Sequence, residues 1–470
     1  GARNPSEIAM DQLPLPLILE ILTRLNSSFD LARCRLASKT LNAIARDVRC
    51  INLHCTFDRY AKPRLAETGT LTTPFKVILK DLVLNVRDLE SLSVGVEKAL
   101  PGTEYDDELD ESDDLYLTDV HFVSEWLPRV AERLRSLSIS DFWFQSCWRR
   151  SDVLSLISAC CNSLVELEIK NAWLSVDDMK MMPSLTSLTL EFIRLDDEDL
   201  NKLNESFPSL QILNLIGAGG FRNPKIHLLH LKTCKWTISN APNSLSIQAP
   251  NLVKLWLDCV RPQSLILKTP LLSEFYLSLD HASKFEAEFP NLRTLLLRSR
   301  SLCRLAQECS FGQTVNKLLI DSPCLSKLDK IPQLSLEALL DAFPNVVSIT
   351  IYHGVWSGLE AFHGGGLEGG CGLNRLKEIT VYLVVDDLEA TIGSVFSVVD
   401  KCSSLMDMKL LIHCDADLIA ARRLVSRCAA GCPRVRWRWG MWKKGEEVVG
   451  CLAEPSFPPW LGESIVVGAI

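Results

Sequence analysis

The N-terminal residues 13–44 decide the fold of this chain, and they read LPLPLILEILTRLNSSFDLARCRLASKTLNAI. In the first half, apolar residues recur with the i, i+3, i+4, i+7 spacing of one helical face, at Leu13, Leu17, Ile18, Ile21, Leu22 and Leu25. Leu15 and Leu19 lie off that face, so the apolar surface is wider than the usual stripe. Pro14 and Pro16 suit the first turn of a helix, where a missing N–H costs little.

A second and a third helix are predicted directly after the first. Asn26, Ser27 and Ser28 interrupt the pattern, and Asp30 suits the N-cap of the next run. Three short helices are too small to enclose this much leucine and isoleucine by themselves. We therefore expect the surplus to lie against the rest of the chain or against another protein.

This segment resembles an F-box, the module that docks on the Skp-type adaptor of cullin-RING ubiquitin ligases. The resemblance implies adaptor contacts at the matching positions, which are Leu13, Pro14, Leu17, Ile18, Ile21, Leu22, Leu25, Leu31, Leu36, Ser38 and Lys39. Two positions depart from the F-box pattern, since Pro16 replaces a common acidic residue and Leu41 a common tryptophan. The alternative interpretation is a helical cap on the N-terminus of a larger domain.

The remainder of the chain is built from a repeated Leu-x-x-Leu-x-Leu strand. Such units begin at Leu134, Leu164, Leu185, Leu210 and Leu252, and at Leu272, Leu292, Val346, Leu376 and Leu405. Phrases such as FPSL, APNL and FPNL place a proline just before a strand, where no ladder N–H is needed. Each unit has an apolar edge that only its neighbours can cover, so the strands are predicted to stack as a parallel sheet.

The repeat length varies, which indicates leucine-rich repeats with variable convex segments. Steps between starts are 21 and 25 residues early, 20 residues around Leu272, and 30 and 29 residues after Val346. Stretches such as VDDMKMM, DDEDLNKLNESF and LEALLDAF are predicted to supply helices, whereas CINLHCTF near residue 50 and FKVILKDLVLNV at 75–86 are predicted to be strands. HLLHLKTC at 227–234 and NSLSI at 243–247 suggest degenerate units.

The predicted fold class is therefore α/β: a three-helix F-box, then a leucine-rich-repeat solenoid with a curved parallel sheet and irregular convex helices. By resemblance it is of the plant F-box type. The predicted domains are an F-box at 10–47, a solenoid at 48–432 with an acidic loop at 101–114, and a C-terminal cap at 433–470. Residues 1–9 are interpreted as a cloning scar, with Met10 as the native start.

Two stretches outside the repeats leave alternatives open. The acidic loop is interpreted as a solvated loop or as a docking site for a basic partner. In RVRWRWGMW at 434–442, Trp437, Trp439 and Trp442 either belong to the cap of the last strand or form a binding patch with Arg434, Arg436 and Arg438.

Composition excludes several classes of function. The chain has 17 cysteines without a CxxC pair and shows no secretory leader, which favours reduced thiols in the nucleus, the cytoplasm or both. No apolar run reaches the roughly 18 residues of a membrane span. The net charge of −8 lies largely in the acidic loop, so neither a nucleic-acid nor a membrane partner is predicted.

Motifs of catalysis, cofactor binding and metal binding are missing from the sequence. GxSxG, HExxH, Walker-type and GxGxxG motifs do not occur. The glycine-rich stretch after His363 has no nucleophile at the required spacing and is predicted to be a flexible loop. The histidines, such as His121, His227 and His281, show no ligand-like grouping. We therefore predict a non-enzymatic protein without cofactor or metal.

The leading functional hypothesis, from the resemblance, is a substrate receptor of a Skp–cullin–F-box ubiquitin ligase. Its F-box would bind the Skp-type adaptor, and its repeats would hold an unidentified target protein. The candidate target contacts are Trp256, Tyr276, Arg298, Trp437 and Trp439. The alternatives are a hormone co-receptor of the same ligase class and a repeat scaffold that never enters a ligase.

Overall fold

The computed structural model describes residues 13–25, 27–61, 73–97, 113–142, 148–238, 240–259, 261–309, 311–322, 336–361, 373–444 and 463–469. The chain forms two compact units, Gly1–Pro250 and Asn251–Ile470. The predicted glycine-rich loop after His363 and nearly all of the predicted acidic loop lie outside the described residues.

The first unit begins with the three predicted helices, α1 (Leu15–Thr23), α2 (Ser28–Ala37) and α3 (Lys39–Ile44). Pro14 caps α1, with Pro16 in its first turn. The N-cap of α2 is Ser27, whose Oγ accepts a hydrogen bond from the Phe29 amide at 3.3 Å, rather than the predicted Asp30. The helix begins before Asp30 because the hydroxyl of Ser27, three residues earlier in the chain, already accepts a hydrogen bond from an amide of the first turn.

The first unit then forms parallel strands. In chain order the strands are β1 (Cys50–Thr56), β2 (Ser91–Glu97), β3 (Ser136–Ser140), β4 (Arg150–Ser151), β5 (Glu166–Lys170), β6 (Trp173–Leu174), β7 (Ser187–Glu191), β8 (Ile212–Ala218), β9 (Lys225–His227), β10 (Thr233–Ile238) and β11 (Ser244–Gln248). Its main sheet has the order β1-β2-β3-β5-β7-β8-β10, while β4 pairs with β6 and β9 with β11.

The second unit has the same architecture, a main sheet of mostly parallel strands. Its strands are β12 (Lys254–Asp258), β13 (Ser264–Lys268), β14 (Glu274–Ser278), β15 (Lys284–Ala287), β16 (Thr294–Arg298), β17 (Lys317–Asp321), β18 (Ser348–Ile351), β19 (Glu378–Leu383), β20 (Asp407–His413), β21 (Arg436–Lys444) and β22 (Glu463–Ala469). The main sheet runs β12-β14-β16-β17-β18-β19-β20-β21-β22, and only β22 is antiparallel to its neighbour. The predicted α/β repeat architecture is confirmed.

All ten predicted repeat units form a main-sheet strand that begins two residues after the leading Leu or Val. In each strand the consensus leucine positions face the core, and we call this side the core face. The intervening x residues lie on the opposite side, the x face. Leu89 and Val315 lead two further units, β2 and β17, that the prediction missed. Both keep the x-x and x spacing, with Val or Ile in place of Leu.

One predicted strand is a helix. Residues Phe75–Leu84 form α5, preceded by α4 (Phe57–Ala61). The buried positions of α5 are Phe75, Leu79, Leu82 and Val83, which share one helical face. The exposed residues Val77 and Ile78 fill the gaps in that pattern and make the sequence look like a strand. Pro74 at the N-cap was the available signal for a helix start.

Repeat length decides what lies behind each main strand. In the 20-residue repeats that start at Leu252 and Leu272, the returning segment is a second short strand, β13 or β15, because the chain is too short for a helix. In the 29-residue repeat from Leu376, it is the helix Leu388–Lys401. The predicted variable convex segments are therefore short strands in the 20-residue repeats and helices in the long ones. NSLSI, predicted as a degenerate unit, forms β11 rather than a main-sheet strand.

The remaining helices follow the predictions in part. They span Val120–Ser124, Leu127–Val130, Val153–Cys160, Asp197–Ser206, Leu302–Glu308, Leu336–Ala342, His353–Ala361, Leu388–Lys401 and Leu418–Gly431. Short 3-10 turns cover Ala45–Asp47, Asp113–Leu115, Gly312–Thr314 and Leu373–Arg375. DDEDLNKLNESF and LEALLDAF are helical as predicted, whereas VDDMKMM is not. Within the described ranges, none of the helices has the length and apolar character that crossing a membrane requires.

Candidate functional site

The helices α1–α3 enclose a small core of their own. Its fully buried members are Ile18, Leu22, Leu31, Leu41, Ile44, Ala45 and Val48. Leu13, Leu19, Leu25 and Cys34 are partly buried against it. Ser38 accepts hydrogen bonds from the Thr40 amide at 3.1 Å and the Leu41 amide at 3.5 Å, and so caps α3. The N-terminal helices are therefore a packed block rather than an amphipathic appendage.

A set of apolar side chains remains outside this core. Leu15 is 61% exposed, Leu17 is 47% exposed and Leu36 is 90% exposed. Pro14 and Pro16 are exposed beside the two α1 leucines. We call these five residues the apolar surface. Leu15 and Leu17 lie in the first turn of α1, and Leu36 lies near the end of α2. Large leucines left exposed on short helices are typical of a protein-binding surface.

The structure divides the predicted adaptor contacts into three groups. Pro14, Leu17, Leu36 and Lys39 are exposed, and Leu13, Ile21, Leu25 and Ser38 are half-buried. Ile18, Leu22 and Leu31 are at most 3% exposed and pack in the helical core, so their predicted adaptor contact stays a prediction that the free chain does not test. Leu15 was not among the predicted contacts, because it lies off the main stripe, and the stripe contains both buried residues such as Ile18 and exposed Leu17.

The helical block is fastened to the first repeats of the same unit. The Asn52 amide on β1 donates to Ser28 Oγ at 2.8 Å, and Ser28 is buried. Arg87 forms an ion pair with Asp47 at 3.0 Å. The guanidinium of Arg59 lies over the Phe29 ring at 4.2 Å. These contacts involve α2, the 3-10 turn that follows α3, and α4. The helical block is therefore attached to the repeats at several points.

The x face of the first unit carries a row of polar side chains. In strand register they are Asn52, Ser93, Ser138, Glu168, Thr189, Asn214 and Lys235. Neighbours along the row are hydrogen-bonded: Ser138 Oγ donates to Glu168 at 3.0 Å, and Asn214 Nδ2 to Thr189 Oγ1 at 3.0 Å. Lys170, in the next row, bridges Glu168 and Glu191 at 2.9 and 3.2 Å. This face suits a partner that offers hydrogen bonds.

Lys235 closes the polar row, and burial lowers its pKa from 10.5 to about 8, opposed in part by Glu191. Between these values the unfolded chain binds more protons than the folded chain, so the unfolding free energy rises with pH from about 8 to 10. We expect Lys235→Met to flatten this rise in urea titrations at several pH values. The exposed Lys232→Met is the matched control. Identical pH slopes for the wild type and Lys235→Met would contradict the prediction.

The x face of the second unit is apolar at the first four equivalent positions, from Trp256 to Leu319, and polar at the next four, which are Thr350, Thr380, Lys409 and Arg438. Trp256 and Tyr276 are adjacent in register, and their rings stack with centroids 3.3 Å apart. They belong to a buried cluster with Leu296, Leu319, Tyr352, Tyr382, Leu411 and Trp442. Arg298 lies in the next row, where Nε is 3.3 Å from Asp321. The structure thus brings three of the predicted target contacts together.

Electrostatics link the tyrosine and the arginine of this group. Burial raises the pKa of Tyr276 to about 12, while a hydrogen bond from Arg298 acts in the opposite direction. The phenol is therefore neutral at physiological pH. Because the Arg298 guanidinium is half-buried between Tyr276 and Asp321, it is an oriented donor rather than a mobile surface charge.

The other two predicted target contacts lie elsewhere. Trp437 and Trp439 pair in register with Met408 and Leu410 on the core face of β20. Trp437 is 7% exposed, and its indole donates to the Cys432 carbonyl at 3.0 Å. The prediction for these two residues is corrected, since the period-two alternation of the strand turns them inward.

The same alternation removes the binding patch of the tail. Trp442, Arg436 and Arg438 lie on the x face, opposite the two inward tryptophans. Arg434 donates to the carbonyls of Val399 and Ser403 and so caps the helix Leu388–Lys401. The six residues do not form one surface, which leaves the cap interpretation.

Comparison with known proteins finds F-box proteins similar to most of the chain. A scan against models of protein families finds no match. An F-box/LRR-repeat protein of Arabidopsis thaliana is 50% identical over 445 residues, which cover 93% of this chain and 99% of the relative. An F-box protein of the same plant is 22% identical over 433 residues, covering 86% of this chain and 90% of that protein.

Proposed function

This chain belongs to the F-box/leucine-rich-repeat family, and from that premise we propose that it is the substrate-recognition subunit of an SCF-type cullin-RING ubiquitin ligase. In this role the N-terminal helices bind a Skp-type adaptor and the repeats bind a target protein. The chain itself performs no chemistry. It holds the target near the enzyme that carries ubiquitin, which converts an encounter between two molecules into a reaction within one complex.

The observation that carries the proposal is the apolar surface of α1 and α2. The helical block has a complete core without Leu15, Leu17 and Leu36. Leaving three leucines in water forgoes roughly 2 kcal/mol of burial for each, which an adaptor would recover by covering them. The block therefore has both properties that docking needs: it is folded before binding, and its apolar residues are accessible.

The target side of the proposal rests on the x faces. The first unit offers the polar row from Asn52 to Lys235, and the second offers Arg298 beside the buried Trp256–Tyr276 stack. Trp256 and Tyr276 are only 6% and 2% exposed, so the accessible residue of this group is Arg298, and arginine is enriched among the residues that dominate binding energy. We propose the nucleus, the cytoplasm or both as the location, in keeping with the free thiols of the described cysteines.

Co-purification with a Skp-type adaptor tests the proposal. We expect the wild type to elute as a complex with the adaptor, and Leu13→Ala combined with Pro14→Ala to abolish it while the repeats stay folded. Leu418→Ala with Ile419→Ala, two exposed apolar residues in the second unit, is the control and should retain the complex. A wild type that elutes alone at micromolar concentrations would refute the proposed function.

A further inference from the structure

Three adjacent side chains with metal-binding donors converge in the turn that follows β20. They are His413, Cys414 and Asp415, and their ligand atoms all lie within 4.8 Å of one another. The proposed ligase function makes no use of them. The sequence motifs for metal sites did not reveal them, because those motifs space their ligands along the chain, whereas here a tight turn gathers three consecutive residues.

Contacts from groups other than the candidate ligand atoms fix the conformation of the turn. The Cys414 amide donates to the Trp442 carbonyl on the neighbouring strand at 2.8 Å, and the Ala416 amide donates to the His413 carbonyl at 3.0 Å. The buried Trp442 ring also meets the His413 ring edge-on, with centroids 4.6 Å apart. The backbone and the imidazole are thus positioned by groups that are not themselves ligands, as in sites with an organised outer shell.

The ring nitrogen Nδ1 of His413 faces this group. The Asp415 amide donates to His413 Nδ1 at 3.3 Å, a hydrogen bond that Nδ1 accepts through its lone pair. A metal ion at Nδ1 would displace only this long N–H contact. The thiol and the carboxylate are exposed, with the Asp415 side chain 87% exposed, so solvent and ions reach both.

Two of the ligand-atom separations are close to those around a tetrahedral ion, and all ligand atoms lie within 4.8 Å of one another. His413 Nδ1 lies 3.3 Å from Asp415 Oδ2, and Cys414 Sγ lies 3.8 Å from Asp415 Oδ1. Bond lengths of about 2.0–2.3 Å at a tetrahedral Zn²⁺ separate such ligand atoms by about 3.4–3.6 Å. Rotation of the exposed carboxylate brings either oxygen to the ion. The thiolate and the carboxylate supply two negative charges, which balance one divalent cation.

We propose that His413, Cys414 and Asp415 form a binding site for a divalent transition-metal ion of the Zn²⁺ class. Imidazole and thiolate ligands select such ions, while Ca²⁺ and Mg²⁺ require sets of oxygen ligands. Three protein ligands leave the fourth position to water or to a donor from a bound molecule.

Alkylation of the full-length protein with iodoacetamide, followed by peptide mass spectrometry, tests the site. Cys414 and Cys50 are both exposed, so Cys50 is an internal control. We expect Zn²⁺ to slow the alkylation of Cys414 about tenfold or more while Cys50 is unaffected, and Mg²⁺ to protect neither. Asp415→Asn should raise the Zn²⁺ concentration for half-protection by about 10- to 100-fold. Equal protection of both cysteines, or no effect of Asp415→Asn, would overturn the proposal.

Co²⁺ provides a second readout. We expect a thiolate-to-metal absorption band in the wild type and in Cys50→Ser, and its loss in Cys414→Ser. A band that persists in Cys414→Ser would also refute the site. None of these measurements involves the adaptor, so failure of the metal site and failure of the proposed ligase function are separate results.

Discussion

Leu15→Glu combined with Leu17→Glu is expected to weaken binding of a Skp-type adaptor by about 1,000-fold. Each leucine removed from a buried contact costs about 2 kcal/mol, and two such losses correspond to about three decades in Kd. Burying the new carboxylates would add a desolvation cost. Fluorescence anisotropy with a labelled adaptor measures the change.

The choice of glutamate separates binding from folding. Leu15 and Leu17 are exposed and lie in the first turn of α1, where negative charge is favourable to the helix dipole by about 0.3–1 kcal/mol. The double variant should therefore keep the wild-type thermal midpoint. Ile18 is fully buried, so changing it would unfold the block and say nothing about docking.

Val77→Glu is the matched control for this experiment. Val77 is 49% exposed on α5, in the same unit as α1 but outside the apolar surface. It should bind the adaptor as the wild type does. If Leu15→Glu with Leu17→Glu also retained wild-type affinity, the apolar surface would not be the docking site.

Asp141→Ala is expected to lower the unfolding free energy of the first unit by about 3–5 kcal/mol. The Asp141 side chain is fully buried and accepts hydrogen bonds from the amides of Leu117 and Thr118 and from the Thr118 hydroxyl. Removing the carboxylate leaves several buried donors without their acceptor, and hydrogen bonds to a charged group are worth about 1.5–3 kcal/mol each. Ser151 Oγ donates to the Thr118 carbonyl and extends the network.

Urea denaturation followed by circular dichroism measures this effect. Asp177→Ala is the control, because Asp177 is exposed and its contact with Lys202 at 2.6 Å is a surface ion pair worth about 0–1 kcal/mol. Asp141→Asn keeps one acceptor oxygen and should fall between the two. A midpoint of Asp141→Ala equal to that of Asp177→Ala would show that the network contributes little.

The repeats were predictable because their spacing is set by the sheet itself. A strand buries every second residue, so Leu-x-Leu recurs wherever a strand is needed, and ten units could be placed to the residue. α5 was not predictable in the same way. Exposed Val77 and Ile78 obscured its helical face, since a β-branched residue in solvent looks the same in sequence as one in a core.

The candidate site was predictable only as a region. The apolar stripe of α1 contains buried Ile18 and Leu22 together with exposed Leu17, so the pattern alone does not separate the core from the surface. Trp437 and Trp439 lie on the same face of the sheet as buried Met408. The sequence alternates Arg and Trp, and this alternation alone does not say which of the two residue types faces the core. Only the pairing of β21 with β20 decides that.

The junction between α2 and β1 has a consequence for how ubiquitin would be transferred. Ser28 accepts a hydrogen bond from the Asn52 amide and Arg59 lies over Phe29, so two contacts restrict movement of the helical block against the first repeat. A target protein bound near the first repeat would present the same few lysines to the incoming ubiquitin at every turnover. Lengthening the junction with a glycine-serine spacer should broaden the set of modified lysines, even where the affinity for the target protein is unchanged.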